Sequence, residues 1–410
     1  MKAIKTLLLI AVIGCGITTM FGQSWTSISQ PSLAESMAAS AAGTKLVGAF
    51  GDGGIGFSTN SGVNWLFYNG LLHPNTVAIS ADGNTLCGGG GGYYFVISTN
   101  SGTSWNQYVN VPAGQFIVSS ADGSKLLTAM GLGNRTPFNT TSGALYTSTN
   151  FGVSWITNKV PKAPWQDAAA SADGNKLVAV VNGGGIYTST NFGNNWISNS
   201  VPSALWTGVA SSVDGEKLVA VSAMGSLDMY GRLGTNGLIY TTTNAGINWV
   251  SNSLPNTQWH AVASSADGSH LLATADIGPV LYGTIFSIYS STNFGVSWVS
   301  NDAPVTAWIS IASSADGCKQ YAVTGYTASP SGLYCSIAPP APVLNLSPSP
   351  TSLALSWLVP STNFILQSSP DLISWSSITD APVFSPVSLQ NQVNLSPTNS
   401  AGFYRLSTPQ

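Results

Sequence analysis

Few residues in this 410-residue chain could do chemistry: 15 Asp and Glu, 12 Lys and Arg, 3 His and 4 Cys. Acid–base cleavage of a glycosidic bond needs two carboxylates flanking the scissile bond. Asp82, Asp122, Asp173, Asp214, Asp267 and Asp316 all precede a glycine in one repeated phrase. Asp-Gly between apolar runs marks a tight turn, so these six read as turn formers. The candidate carboxylates are then Asp52, Asp167, Asp228 and Asp276, of which Asp228 and Asp276 lie in long insertions. His73, His260 and His270 lack metal-ligand spacing and there is no Cys-x-x-Cys, so no metal is expected. The Gly88 to Gly92 run reads as a turn between strands, because it opens no helix and lacks the Lys-Ser/Thr of a phosphate loop. No Gly-x-Ser-x-Gly elbow sits between a strand and a helix, and no cofactor is expected.

Aromatic residues supply a second set of candidates. Trp165, Trp206, Trp259 and Trp308 each stand eight residues before a repeated aspartate, where the chain enters an inner strand. At that place they either stack on a ligand or seal contacts between packed sheets, since burying tryptophan is a large hydrophobic gain. Nucleic acid is set aside. Phosphate binding needs clustered Lys and Arg, and the few present are scattered through a chain of net charge −3. Hydrophobic residues make up 44% and charged residues 7%, so the polar surface must be mostly Ser, Thr, Asn and Gly.

The elements that position these residues come from a repeat. Ser/Thr-Thr-Asn-x-Gly-x-x-Trp occurs six times, pairing Asn60 with Trp65, Asn100 with Trp105, Asn150 with Trp155, Asn191 with Trp196, Asn244 with Trp249 and Asn293 with Trp298. Successive box tryptophans lie 40 to 53 residues apart. A unit such as Trp165 to Pro202 reads as four short strands: Ala168 to Ser171, Leu177 to Val181, Ile186 to Ser189 and Trp196 to Asn199. Four meandering strands per repeat is the pattern of a propeller blade. Leu177 to Val181 is apolar throughout, as a strand covered on both faces requires. A degenerate Ala42-Gly43 raises the Asp-Gly-type turns to seven against six boxes. The last unit lacks a fourth strand, while Trp25 to Ser29 resembles a fourth strand with no preceding three. Residues 23–338 are therefore expected to form an all-β, seven-bladed β-propeller whose N-terminal strand closes the last blade and protects its edge.

The boxes resemble the Asp-box, or BNR, repeat Ser-x-Asp-x-Gly-x-x-Trp of sialidases, sortilin-type propellers, xyloglucan-cleaving glycosidases and photosystem II assembly factors. That resemblance implies the propeller fold. Here asparagine stands where those families usually have aspartate, and it still bonds nearby amides and tolerates turn geometry. The box reads as a turn plus a buried tryptophan wedge. Sialidase chemistry, as the resemblance implies it, uses three arginines, a Tyr/Glu pair and an acid/base Asp. This chain has only Arg135, Arg232 and Arg405, and only Glu35 and Glu216. Asn134-Arg135-Thr136-Pro137 is similar to the Arg-x-Pro element but lacks its preceding aromatic.

The two ends read differently. Residues 1–22 resemble an export signal, with Lys2 and Lys5 before the apolar Leu7 to Ile13. Cleavage near Gly22 is one reading, and lipidation of Cys15 in a lipobox-like Val12-Ile13-Gly14-Cys15 is the other. The apolar run is too short for a lasting membrane span. A proline-rich linker and the start of the tail occupy residues 339–350, and residues 351–410 alternate like a small β-sandwich similar to a fibronectin type III module. Cys318 and Cys335 flank an expected hairpin and stand where they could pair, while Cys87 lies in an apolar run. The leading expectation is a monomeric, secreted or cell-surface binding protein for a glycan or an extracellular protein. Its site would be the face carrying Arg135, Asp228 and Asp276. The alternative is a secreted glycosidase with a loop Asp pair, and an assembly factor is a third reading by fold analogy.

Overall fold

The computed structural model describes residues 25–28, 34–50, 54–70, 74–90, 94–109, 111–112, 114–129, 143–223, 225–227, 233–234, 237–252, 258–276, 286–325 and 332–337, and in the tail 344–348, 352–358, 365–369, 376–388, 390–395 and 403–407. The 1–22 segment with Cys15, together with Asp52, His73, Arg135, Asp228, Arg232 and most of the linker, lies outside the described residues. Every regular element described is a β-strand.

The strands form antiparallel meanders of four. The first runs Ala34–Ala39, Leu46–Phe50, Gly54–Ser58 and Leu66–Tyr68, and the second Thr76–Ile79, Leu86–Gly90, Tyr94–Ser98 and Asn106–Val109. The third runs Ile117–Ser119, Leu126–Ala129, Leu145–Ser148 and Ile156–Thr157; the fourth Trp165–Ala170, Leu177–Gly184, Ile186–Ser189 and Ile197–Ser198. The fifth runs Ala204–Ser211, Leu218–Ser222, Ile239–Thr242 and Val250–Asn252; the sixth Gln258–Ser264, Leu271–Asp276, Phe286–Ser291 and Val299–Ser300. The seventh runs Trp308–Ser313, Lys319–Thr324 and Leu333–Ile337, and its outer strand is Trp25–Ile28, with Trp25 opposite Ser336. The fourth and fifth sheets also join, through Asn182 opposite Leu205.

Sheets stack because their middle strands are apolar on both faces. Leu177, Ala179 and Val181 pack in one core with Trp165, whereas Val178 and Val180 pack in the next with Trp206. The Gly88 to Gly90 part of the glycine run belongs to a strand and not to a turn. The reason is space, since a Cβ on Gly88 would stand 2.4 Å from the Ile55 side chain of the neighbouring sheet.

The Ser-Ala-Asp-Gly phrase is a polar knot. Ser80 Oγ donates to Asp82 Oδ1 at 2.6 Å and accepts from the Thr85 amide at 2.9 Å, while Asp82 Oδ1 accepts from the Asn84 amide at 2.8 Å. The same bonds recur at Asp122, Asp173, Asp214, Asp267 and Asp316. One backbone bond per turn then links neighbours: Ala41 to Ala81, Ala81 to Ala121, Ala121 to Ala172, Ala172 to Val213, Val213 to Ala266, Ala266 to Ala315, and Ala315 back to Ala41, at 2.7 to 2.9 Å. The residue three after each turn aspartate braces the next turn. Lys176 reaches the Asp214 carbonyl at 2.8 Å and pairs with Glu216 at 2.5 Å, and Lys125 and Lys217 do the same to the Asp173 and Asp267 carbonyls.

The turn glycines lie flat on these side chains. Gly215 has φ +69°, and a Cβ there would stand 2.8 Å from Lys176 Cβ. Gly215→Ala is expected to lower stability by ~1–3 kcal/mol from backbone strain and overpacking. Gly185→Ala, where only Ser198 Oγ comes as near as 4.0 Å, is the matched control and should be nearly neutral in urea unfolding. Equal losses at the two sites would contradict the brace.

The box is a second knot at the same end of each sheet. Asn60 Oδ1 accepts from the Ser58 hydroxyl at 3.0 Å and from the Asn64 amide at 2.8 Å, so an amide oxygen does the work of a carboxylate. The residue after the box Asn takes positive φ in all six copies, Phe192 at 53° among them. Its amide holds it there by donating to the turn, as Phe192 does to the Asn175 carbonyl at 2.8 Å. Trp65, Trp105, Trp155, Trp196, Trp249 and Trp298 are only half-buried, which corrects the expectation of a buried wedge. They close the outer edge of the cores, where one side of the indole meets solvent.

Cys318 and Cys335 are separate free thiols, so the pairing held open from the sequence is absent. Cys87 is fully buried, and burial pushes its thiol up to about 12. In the tail, Asn345–Pro348, Leu353–Leu358, Gln390–Leu395 and Val383–Ser385 form one small sheet, with Ser376–Ser377, Ile365–Ser369 and Phe403–Ser407 forming another. Leu355, Trp357 and Val393 of the first share a core with Leu366 of the second. Arg405 lies in the tail, in a strand pairing with Ile365–Ser369.

Candidate functional site

Turns and boxes occupy one end of the sheets, because each box bonds to the turn of its own sheet. The first strands therefore begin at the opposite end. Their last residues, such as Ile79, Ser119, Ala170 and Ser264, circle a central cavity of about 640 Å³, counting the space open to solvent. The cavity wall is Ala, Ser, Ile and Val, and its Ser211, Ser264 and Ser313 hydroxyls donate to the carbonyl of the next residue. It offers a ligand little beyond shape.

The four lead tryptophans do not face this space. Trp165, Trp206, Trp259 and Trp308 are 0–1% exposed. Each meets a tyrosine of its own sheet edge to face, Tyr187, Tyr240, Tyr289 and Tyr334, with ring centroids 5.1 to 5.8 Å apart. Trp206 Nε1 donates to the Gly184 carbonyl at 3.0 Å and Trp308 Nε1 to that of Pro304 at 3.1 Å. A ligand would have to displace a neighbouring sheet to stack on any of them, which corrects their candidacy as binding residues.

Asp167 is also structural. Its Oδ2 accepts the Val209 amide of the next sheet at 3.0 Å. Thr76 accepts the Ile117 amide and Ser310 the Met37 amide at the equivalent steps of the repeat. Asp276 ends its strand opposite Gln258 and Phe286, and nothing is described of its side chain. Arg135 and Asp228 lie outside the described residues. Among the described residues no group of His, Cys, Asp and Glu could hold a metal ion.

What the sequence reading missed is the residue after each lead position. The pairing slips by one residue there in five sheets: between Ala34 and Ser36, Trp165 and Asp167, Trp206 and Gly208, Trp259 and Ala261, and Trp308 and Ser310. A bulge shifts the register by one and re-aims its extra residue. The extra residues are Glu35, Gln166, Thr207, His260 and Ile309, and the second and third sheets place Asn75 and Gln115 at the equivalent point. All seven stand at or near the start of the first strands, seven positions before the turns that line the cavity, which puts them at the opposite mouth of the ring. The signal was present as a polar residue seven before the turn position in six of the seven sheets, masked by the tryptophans beside it.

The mouth is polar and nearly neutral. Thr207 Oγ1 donates to the Trp259 carbonyl at 2.8 Å, tying the fifth sheet to the sixth. Burial pushes His260 down to about 4, so its imidazole is uncharged at neutral pH. Glu35 is the one carboxylate in the ring, so the ring itself holds no pair for acid–base cleavage. Amides, a hydroxyl and an imidazole suit it to hydrogen-bond recognition of a polar ligand.

No family model matches the sequence, and no curated protein is similar enough to count as a relative. Solved structures do share its shape. YCF48 from Cyanidioschyzon merolae is 14% identical, with 77% of this chain and 99% of that one covered at a TM-score of 0.55. A YCF48 structure bound to D1 peptide is 15% identical, with 77% and 96% covered at 0.54. The GH74 xyloglucanase from Xanthomonas campestris is 15% identical, with 82% of this chain and 59% of that one covered at 0.55. At such identities the likeness speaks to architecture alone, and the architecture it establishes for this chain is the β-propeller.

Proposed function

We propose that this chain is an exported, non-catalytic binding protein, a monomeric seven-bladed propeller with a small C-terminal β-sandwich, which grips its ligand at the ringed mouth of the central cavity. The observation that carries this reading is the bulge repeated at one position in five sheets, which sets a polar residue there in four of them, Ile309 being the exception. Burial of the lead tryptophans removes the stacking platform a sugar would use. A peptide segment of an extracellular protein, read through its backbone amides and carbonyls, therefore fits better than a glycan. YCF48, of the same fold, has been solved with a peptide bound, a fold-level precedent only.

The test is a paired screen of peptide and glycan arrays with the full chain. Glu35→Gln combined with Gln166→Ala is expected to weaken captured peptides by about tenfold or more, the size of one or two lost hydrogen bonds, with the unfolding midpoint unchanged. Binding that ignores the double variant would defeat the proposal. Glycan hydrolysis abolished by Asp228→Asn would establish the competing glycosidase.

A further inference from the structure

The seven turn positions are equivalent by the repeat, so they act as one another's controls. They are not equally covered. Ala41, Ala266 and Ala315 are buried, at 7%, 6% and 5% exposure, whereas Ala81, Ala121, Ala172 and Val213 are half-buried. Asp316 is 9% exposed, while Asp82, Asp122, Asp173, Asp214 and Asp267 are all exposed. Something beyond the repeat covers the first, sixth and seventh sheets at the turn end. The covering residue is Phe384 of the tail, which packs on the cluster of Ala41, Ala266 and Ala315.

Phe384 is placed for this by its strand. Val383–Ser385 is the edge of the tail's first sheet and pairs only with Gln390–Leu395. Phe384 stands opposite Asn391, which stands opposite Trp357, yet Phe384 takes no part in the tail core that buries Trp357. Its neighbours Val383 and Val387 are 72% and 61% exposed, so Phe384 alone of these three is spent on the propeller. The opening it meets has a matching size. Seven residues joined in a circle by amide–carbonyl bonds, each about 4.8 Å from the next, enclose a ring about 11 Å across. Subtracting van der Waals contact leaves an opening roughly 7 Å wide, enough for one aromatic ring.

We propose that the C-terminal module is the floor of the central channel, with Phe384 as its stopper. The channel is then covered at its turn end over the first, sixth and seventh sheets, and its fuller opening is the polar mouth. This does not rest on what binds at that mouth.

The test is thiol labelling of the full chain in a Cys15→Ser, Cys318→Ser, Cys335→Ser background, with Cys87 buried. Ala315→Cys, beneath the tail, is expected to react at least about tenfold more slowly than Ala172→Cys, the half-buried equivalent, as protection by a packed contact requires. Phe384→Ala should raise the Ala315→Cys rate toward that of Ala172→Cys, and Val383→Ala should leave both rates alone. Equal rates before Phe384 is changed, or an Ala315→Cys rate unmoved by Phe384→Ala, would overturn the proposal. A photo-crosslinking benzoyl-phenylalanine at position 384 gives a second measurement that keeps the aromatic ring. Crosslinks to peptides holding Ala41, Ala266 or Ala315 are expected, and crosslinks confined to the tail would overturn it.

Discussion

Trp259→Ala is expected to lower the unfolding free energy by ~3–5 kcal/mol, the range for truncating a fully buried tryptophan. Trp259 has no solvent exposure and packs against Tyr289 at 5.2 Å and the box Trp298 at 5.8 Å, in a core with Ala273, Ala275 and Val221. That core is shared between the fifth and sixth sheets, so a cavity there loosens the contact between sheets as well as the sheet itself. Trp196→Ala removes a side chain of the same size from the half-buried rim. Its indole gives up one hydrogen bond, to Asn158 Oδ1 at 3.0 Å, and the expected loss is roughly 1–2 kcal/mol. Urea unfolding of both variants at one pH gives the ranking. A larger loss for Trp196→Ala would mean that the box, and not the lead tryptophan, carries the packing.

Acid should weaken the protein in two separate steps. His260 is held down to about 4 by burial, against an ordinary value of 6.5. Between those values the unfolded chain takes up a proton that the folded chain refuses, so stability falls as pH falls. The loss reaches about 3 kcal/mol by pH 4, at 1.36 kcal/mol per unit. The turn aspartates act in a lower window. Burial alone would raise Asp122, Asp173, Asp214 and Asp267, but hydrogen bonds from the serine two residues before and from the amide two residues after hold them below the usual value. Their stabilisation is complete above about pH 4 and is lost as pH drops through their folded values. His260→Gln should flatten the first step and leave the second. Urea midpoints at pH 7, 5 and 4 for both proteins check this, and a first step that persists in His260→Gln would assign it elsewhere.

How far the sequence could be read depended on the range of the interaction involved. The all-β class followed from the two repeated phrases, because turn geometry is set within a few residues. Ser80, Asp82 and Gly83 close their knot almost wholly among themselves, and Asn60 does the same with Ser58 and Asn64. The propeller followed from how those phrases are spaced. Burial was not legible in the same way. Trp165 and Trp196 are the same residue type in one repeat, and their ring centroids lie 6.4 Å apart. One is sealed between sheets and the other meets solvent, because only stacking decides which side of a sheet is covered.

The candidate site divides along the same line. That Asp167 is a latch to Val209 depends on a residue 42 positions away. The ring of Glu35, Gln166, Thr207 and His260 needs both the bulges and the closing of the sheets around one axis. The unequal cover of Ala315 and Ala172 needs the tail as well. The sequence by itself determined the local knots and hence the kind of sheet, since those energies are short-ranged. Only the tertiary structure decided which tryptophans are core, which residues the bulges re-aim and which turns the tail covers, since these are contacts between residues far apart in the chain.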